Sequence, residues 1–220
     1  MKQVAPQLIR AAIGDARRPS VAWWVMAILG LAVGGYAMAL FDARAVKDAV
    51  PGFPWLDEVH FAAGGVALAV GPWLFRRDFL ARRTALHHAL GKLYFLAVAV
   101  SGLAALAMAP FSMAGATARA GFTSLAVLWL GSTAIGAWRI HDGRVVEHRR
   151  AMVVSYALCF AAATLRVQLP IGIAITGSFE PAYRIVAWSC WVPNLVFAWW
   201  WLSRTDLAGQ PRRAGFTASD

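Results

Sequence analysis

Cysteine is almost missing from this sequence. The chain has two in 220 residues, Cys159 and Cys190, each inside an apolar run and neither in a CxxC or Cys/His spacing. That usage excludes a disulfide framework and a thiolate zinc site, and leaves two thiols expected to be buried. Acidic residues are scarce as well, 11 Asp and Glu against 21 Lys and Arg. Charge of either sign is only 15% of the chain and sits in short segments between near-uncharged runs. A net charge of +10 distributed in this way does not form one basic face, so nucleic acid is excluded as the expected partner. There is no glycine-rich phosphate loop, no nucleophile elbow and no other recognised catalytic spacing, so no reaction class follows from motifs.

What the chain has instead is apolar length. Hydrophobic residues make up 60% of it, the mean hydropathy is +0.56, and uncharged stretches recur at the length needed to cross a bilayer. The pattern predicts an all-α protein, a polytopic six-helix transmembrane bundle with spans near Val21–Phe41, Val59–Phe75, Leu90–Ala109, Phe122–Trp138, Ala151–Leu169 and Ile185–Leu202. Residues 1–20 form an N-terminal segment that reads as an uncleaved anchor, because no small-residue cleavage site follows its basic residues. Residues 21–203 form one transmembrane domain, and 204–220 a short, basic tail expected to be disordered.

Charge fixes the expected orientation. If the N-terminus is cytoplasmic, the inside segments collect sixteen of the twenty-one Lys and Arg, and the outside keeps Arg44, Lys47, Arg119, Arg166 and Arg184. The positive-inside rule then places both termini in the cytoplasm. Trp23, Trp24, Trp73, Trp138, Trp199, Trp200 and Trp201 fall at inner ends of spans, as interfacial anchors do. Basic inner loops call for anionic headgroups at the cytoplasmic face. Gly30 and Gly34 in the first span have the spacing that lets another backbone approach, and the glycine-bearing faces suit a partner helix or a second copy.

The most informative stretch runs from Gly143 to Pro170. At about 100° per residue, His148, Ser155, Cys159 and Arg166 fall within roughly 20° of one line, so one face of the fifth span carries polar groups from end to end. The 18 residues from His148 to Arg166 cover about 27 Å at about 1.5 Å per residue, which puts the two at opposite membrane surfaces. Ionisable groups at such depth face a bundle interior or a cavity. His60 opens the second span on the same line as Gly64, Ala67 and Gly71, so it is expected to point inward, with Glu58 and Arg166 as neighbours. At the foot of the third span only one of His87 and His88 can face inward. His87 shares a line with Tyr94 and Ser101, His88 with Phe95 and Gly102, and periodicity leaves the choice open. In the sixth span, Pro193 frees a carbonyl one turn back and Asn194 offers donors and acceptors, for a kink or for a ligand.

HHALGKLY, EHRRAMVVSYALCFAAATLR and WSCWVPNL together resemble a bacterial multi-pass family known as domain of unknown function 2306. The resemblance covers the second to the sixth span. It implies a bacterial inner-membrane protein and matching positions at His60, His88, Gly91, Tyr94, His148, Arg149, Ser155, Tyr156, Arg166 and Trp191 to Asn194. It points to His88 over His87, departs from the family at Ala89 and Lys92, where Arg is expected, and brings no established activity.

Three functions are compatible with this. The leading expectation is a non-catalytic accessory or lipid- and partner-binding membrane component. The first alternative is a small-molecule carrier whose polar intramembrane path uses His60, Glu58, Tyr94, Ser155, Tyr156, Arg166 and Asn194. The second is a redox protein with a b-type haem held by His88 and His148. A metal-dependent hydrolase built on His141, Asp142, Glu147 and His148 lacks a recognised ligand spacing.

Overall fold

A computed structural model describes residues 20–39, 53, 55–76, 84–112 and 114–209. Among these residues the chain is helical and has no strand. Eight helices stack into six rods. The first is α1 (Val21–Ala39), the second α2 (Trp55–Leu74), and the third α3 (Thr84–Met108), prolonged by a 3-10 turn at Ala109–Phe111. The fourth is α4 (Gly115–His141). The fifth combines α5 (Val145–Cys159) and α6 (Ala161–Thr176), and the sixth α7 (Phe179–Ser189) and α8 (Val192–Gly209). Four rods, Thr84–Phe111, Gly115–His141, Val145–Thr176 and Phe179–Thr205, are long and apolar enough to cross a membrane, while the apolar part of α1, Trp23–Tyr36, is shorter.

The six expected segments are therefore present as rods, and most are longer than the apolar runs alone indicate. Polar ends extend them: Thr84 to Ala89 joins α3, and Gly115 to Gly121 joins α4. The fifth rod departs from a single smooth span in two ways. It is interrupted at Phe160, and it runs past Pro170 to Thr176. Gly177 ends it with φ +74°, a left-handed cap that lets its N–H bond the Ile173 carbonyl at 2.8 Å. Gly143, at φ +73°, turns the chain between α4 and α5 in the same conformational region.

Small residues set the closest approaches. A Cβ added at Gly30 would lie 2.8 Å from the Leu68 carbonyl oxygen, and one at Gly34 would lie 2.8 Å from the Gly65 carbonyl oxygen, so α1 meets α2 backbone to backbone. Gly71 makes room for a ring, since a Cβ there would fall 2.0 Å from Tyr156. The core that results is centred on Leu68, Tyr94, Val98, Tyr156, Leu158 and Cys190.

Two prolines inside the rods, Pro72 and Pro193, are answered by side chains from elsewhere. Pro72 cannot donate to Leu68 four residues back; the Tyr156 hydroxyl donates to that Leu68 carbonyl at 3.1 Å. Pro72's own carbonyl accepts from Trp23 Nε1 at 2.8 Å. Pro193 likewise frees the Ser189 carbonyl, and Gln168 Nε2 donates to it at 3.2 Å while Ser189 Oγ donates back to Gln168 Oε1 at 2.8 Å. Each pair satisfies a backbone acceptor that lipid could not.

One end of the bundle is a belt of tryptophan and arginine. Arg76 lies over Trp23 at 5.1 Å, Arg149 over Trp201 at 5.8 Å and Arg204 over Trp200 at 5.4 Å. The first two of these contacts join different rods, α2 to α1 and α5 to α8. Such contacts are worth about 0.5–1 kcal/mol when exposed. Asp42, Lys47 and the rest of 40–52, and the basic segment 77–83, lie outside the described residues.

Candidate functional site

The interior polar groups come from facing rods. From α3 come His87, Tyr94 and Ser101, each seven residues from the next and so on nearly one line. From α5 and α6 come His148, Ser155, Cys159 and Arg166. At the middle of the bundle the two sets meet. Thr133 Oγ1 donates to the Trp129 carbonyl at 2.7 Å. Its proton is thereby committed, so Ser155 Oγ, 2.7 Å away, donates to Thr133, and Tyr94 Oη, 2.9 Å away, donates to Ser155. All three hydroxyl residues are buried. The result is a one-way chain, Tyr94 to Ser155 to Thr133 to a backbone carbonyl. Trp129 Nε1, beside it, is buried without a hydrogen-bond acceptor.

At the end bearing the tryptophan belt stand His87, His88 and His148, with His141 at the end of α4. His87 is half-buried and its Nδ1 is shielded from solvent with no hydrogen-bond partner. His88 is exposed, its ring 6.1 Å from that of His87. His148 donates from Nδ1 to the Gly136 carbonyl at 2.8 Å, which leaves Nε2 outward, and it is close enough to His87 for their charges to interact. Of the two neighbours on α3, His87 is the one turned inward, on the line its period shares with Tyr94 and Ser101. Glu147 is held by Arg139 at 3.2 Å and Arg144 at 2.5 Å. Among the described residues no group of three or more His, Cys, Asp or Glu is placed to hold a metal ion.

The opposite end is organised by His60. Ser101 Oγ donates to the His60 carbonyl at 2.9 Å, and His60 Nδ1 lies 3.0 Å from both the Ser101 carbonyl oxygen and Oγ. With the hydroxyl proton already placed, Nδ1 carries the imidazole proton and donates. Gly64 makes this possible, since a Cβ there would come within 2.9 Å of Ser101 Oγ. Arg166 is near enough to His60 for electrostatic interaction. Its Nη1 donates to the Ala162 carbonyl at 2.9 Å, and its guanidinium carbon lies 6.0 Å from the Tyr36 ring and 5.8 Å from the Phe61 ring. Glu58 is exposed on the first turn of α2.

Tyr156 and Asn194 do packing work in this geometry. Tyr156 closes on Leu68, as described above. Asn194 Nδ2 donates to Thr164 Oγ1 at 3.0 Å and to the Cys190 carbonyl at 3.0 Å, holding α8 against α6. Thr133, Ser101 and Gln168 make polar contacts between rods that the apolar pattern of the sequence does not mark. Ser101 had a signal, its heptad spacing from Tyr94. Thr133 and Gln168 had none, since a hydroxyl or amide in an apolar run reads equally well as bonded to its own helix.

Long apolar rods, small-residue contacts and a polar interior of this kind define a multi-pass helical membrane protein. The sequence profile of a family described as "Predicted membrane protein (DUF2306)" matches residues 58–202, well over half of the chain, and the protein belongs to that family. No curated protein and no solved structure matches it.

Proposed function

We propose that the protein is a non-catalytic component of the bacterial inner (plasma) membrane, with both termini in the cytoplasm, that contacts anionic lipid and a membrane-protein partner or a second copy of itself. The observation that carries this reading is the closed hydroxyl chain. Tyr94, Ser155 and Thr133 end on one another and on the Trp129 carbonyl, so the middle of the polar stripe ties rods together instead of facing a passage. A solute path needs polar groups left over along its length. The belt of Arg76, Arg149 and Arg204 over Trp23, Trp201 and Trp200 supports a cytoplasmic headgroup contact at that end.

Cys159, buried on the stripe one turn beyond Ser155, is the natural probe. In a Cys190→Ser background, membrane-embedded protein treated with a hydrophilic maleimide is expected to leave Cys159 unlabelled. Labelling would mean water reaches the stripe and would favour a carrier over this reading.

One observation favours a second reading, a b-type haem redox protein. His87 Nδ1 is shielded and unpartnered, and His148 has Nδ1 fixed on the Gly136 carbonyl, the arrangement that orients a histidine for ligation through Nε2. His88 stands beside them. The absorption spectrum of purified protein, oxidised and dithionite-reduced, decides this. A Soret band abolished by His148→Ala establishes the haem, and a flat visible spectrum removes it.

A further inference from the structure

Arg166 is the member of the polar file whose chemistry the described part of the chain does not answer. One guanidinium N–H goes to the Ala162 carbonyl of its own helix. Among the described residues no carboxylate pairs with it, and its flanking groups are the Tyr36 and Phe61 rings and the imidazole of His60. Aromatic faces attract a guanidinium but do not neutralise it. A half-buried arginine in a membrane rod, with no acid beside it among the described residues, is a place where an anion would be held.

His60 narrows the choice. Its Nδ1–H is spent on Ser101, so Nε2 is an acceptor, and it has no partner among the described residues. The ligand therefore presents an anion to Arg166 and a hydroxyl to His60. The flank of the site is apolar and exposed, with Tyr36 and Val167 each more than half accessible, and it opens sideways toward the bilayer. We propose that Arg166 and His60 hold the headgroup of an anionic glycerophospholipid of the phosphatidylglycerol type. The phosphodiester meets the guanidinium fork, a glycerol hydroxyl donates to His60 Nε2, and the acyl chains lie along Tyr36 and Val167. This site is at the end of the bundle opposite the tryptophan belt, and it rests on the lipid-contacting reading given above while naming a lipid and a place for it. A soluble glycerol phosphate offers the same two groups without the chains.

The test is native mass spectrometry of the full chain in mild detergent, titrated with dioleoylphosphatidylglycerol, with dioleoylphosphatidylcholine, or with glycerol 1-phosphate as competitor. Wild type is expected to retain one phosphatidylglycerol in preference to phosphatidylcholine, and Arg166→Gln to weaken that retention about tenfold, the scale of one lost charge-assisted contact. Displacement by millimolar glycerol 1-phosphate, itself dependent on Arg166, would uphold the phosphate chemistry and assign it to a soluble ligand. Equal retention by wild type and Arg166→Gln would overturn the site, yet anionic lipid held elsewhere would leave the broader reading standing. No preference for anionic lipid at all would end both. Should Arg166→Gln fail to fold, Arg166→Lys keeps the charge without the fork. It is expected to weaken retention several-fold, and unchanged retention overturns the proposal.

Discussion

Tyr94 and Ser155 meet at 2.9 Å across the interior of the bundle, from rods 61 residues apart in sequence, and both are fully shielded. Because Thr133 commits its proton to the Trp129 carbonyl, the direction of every bond in the chain is fixed, and the three hydroxyls are not equivalent. Tyr94 only donates within it, while Ser155 both accepts and donates.

That asymmetry makes a prediction. Tyr94→Phe removes the donor to Ser155, whose oxygen keeps its own bond to Thr133, so it is expected to cost about 0.5–1.5 kcal/mol. Ser155→Ala leaves the buried Tyr94 O–H with no acceptor and is expected to cost more, about 1–3 kcal/mol. Reversible unfolding in mixed micelles, followed by circular dichroism, gives both values. A larger loss in Tyr94→Phe than in Ser155→Ala would show that the chain runs the other way.

Tyr156 and Pro72 are coupled through one carbonyl. Tyr156→Phe should destabilise the bundle by about 1–3 kcal/mol, since the Leu68 oxygen is left without a donor. In a Pro72→Ala background the helix supplies its own N–H, and the same substitution should cost less than half as much. A double-mutant cycle measures the difference, and strict additivity would refute the coupling.

Gly71 and Gly91 provide a matched pair. A methyl group at Gly71 would strike the Tyr156 ring at 2.0 Å, whereas one at Gly91 has nothing within 4 Å. Gly71→Ala is expected to lose about 1–3 kcal/mol or to prevent folding, and Gly91→Ala to be neutral or stabilising by up to about 1 kcal/mol through helix propensity. Thermal denaturation in detergent ranks them. Similar midpoints for the two variants would remove Tyr156 from the Gly71 notch.

Orientation is tested on two turns at opposite ends. Cysteines introduced as Ser178→Cys and Arg144→Cys should react differently with an impermeant maleimide on intact spheroplasts, the first labelled and the second protected until lysis. The reverse result would place the termini outside.

The composition made the rods legible and left their fine structure hidden. Six apolar runs were enough to count them, but the run from Ala151 to Leu169 carries no mark of the break at Phe160, because Ala, Phe and Leu suit a helix on either side of it. Heptad spacing put Tyr94 and Ser101 with His87, and the structure turns His87 inward, whereas the family likeness points one residue along, to His88, which is exposed. The stripe of His148, Ser155 and Arg166 was visible as a line on one helix. What each group meets was not, because Thr133 and His60 arrive from other rods, and a one-dimensional period holds no information about which rods are neighbours. Glu58, two residues before His60 and so about 200° round the same helix, is exposed on another face.

The carbonyl that Pro72 strands has a consequence for how the protein is made. Its donor, Tyr156, lies 88 residues downstream, and at ribosomal speeds of about 5–20 residues per second that interval is several seconds of synthesis. Until then the second helix carries an acceptor that hydrocarbon cannot satisfy. The second rod therefore receives its last hydrogen bond only when the fifth packs against it.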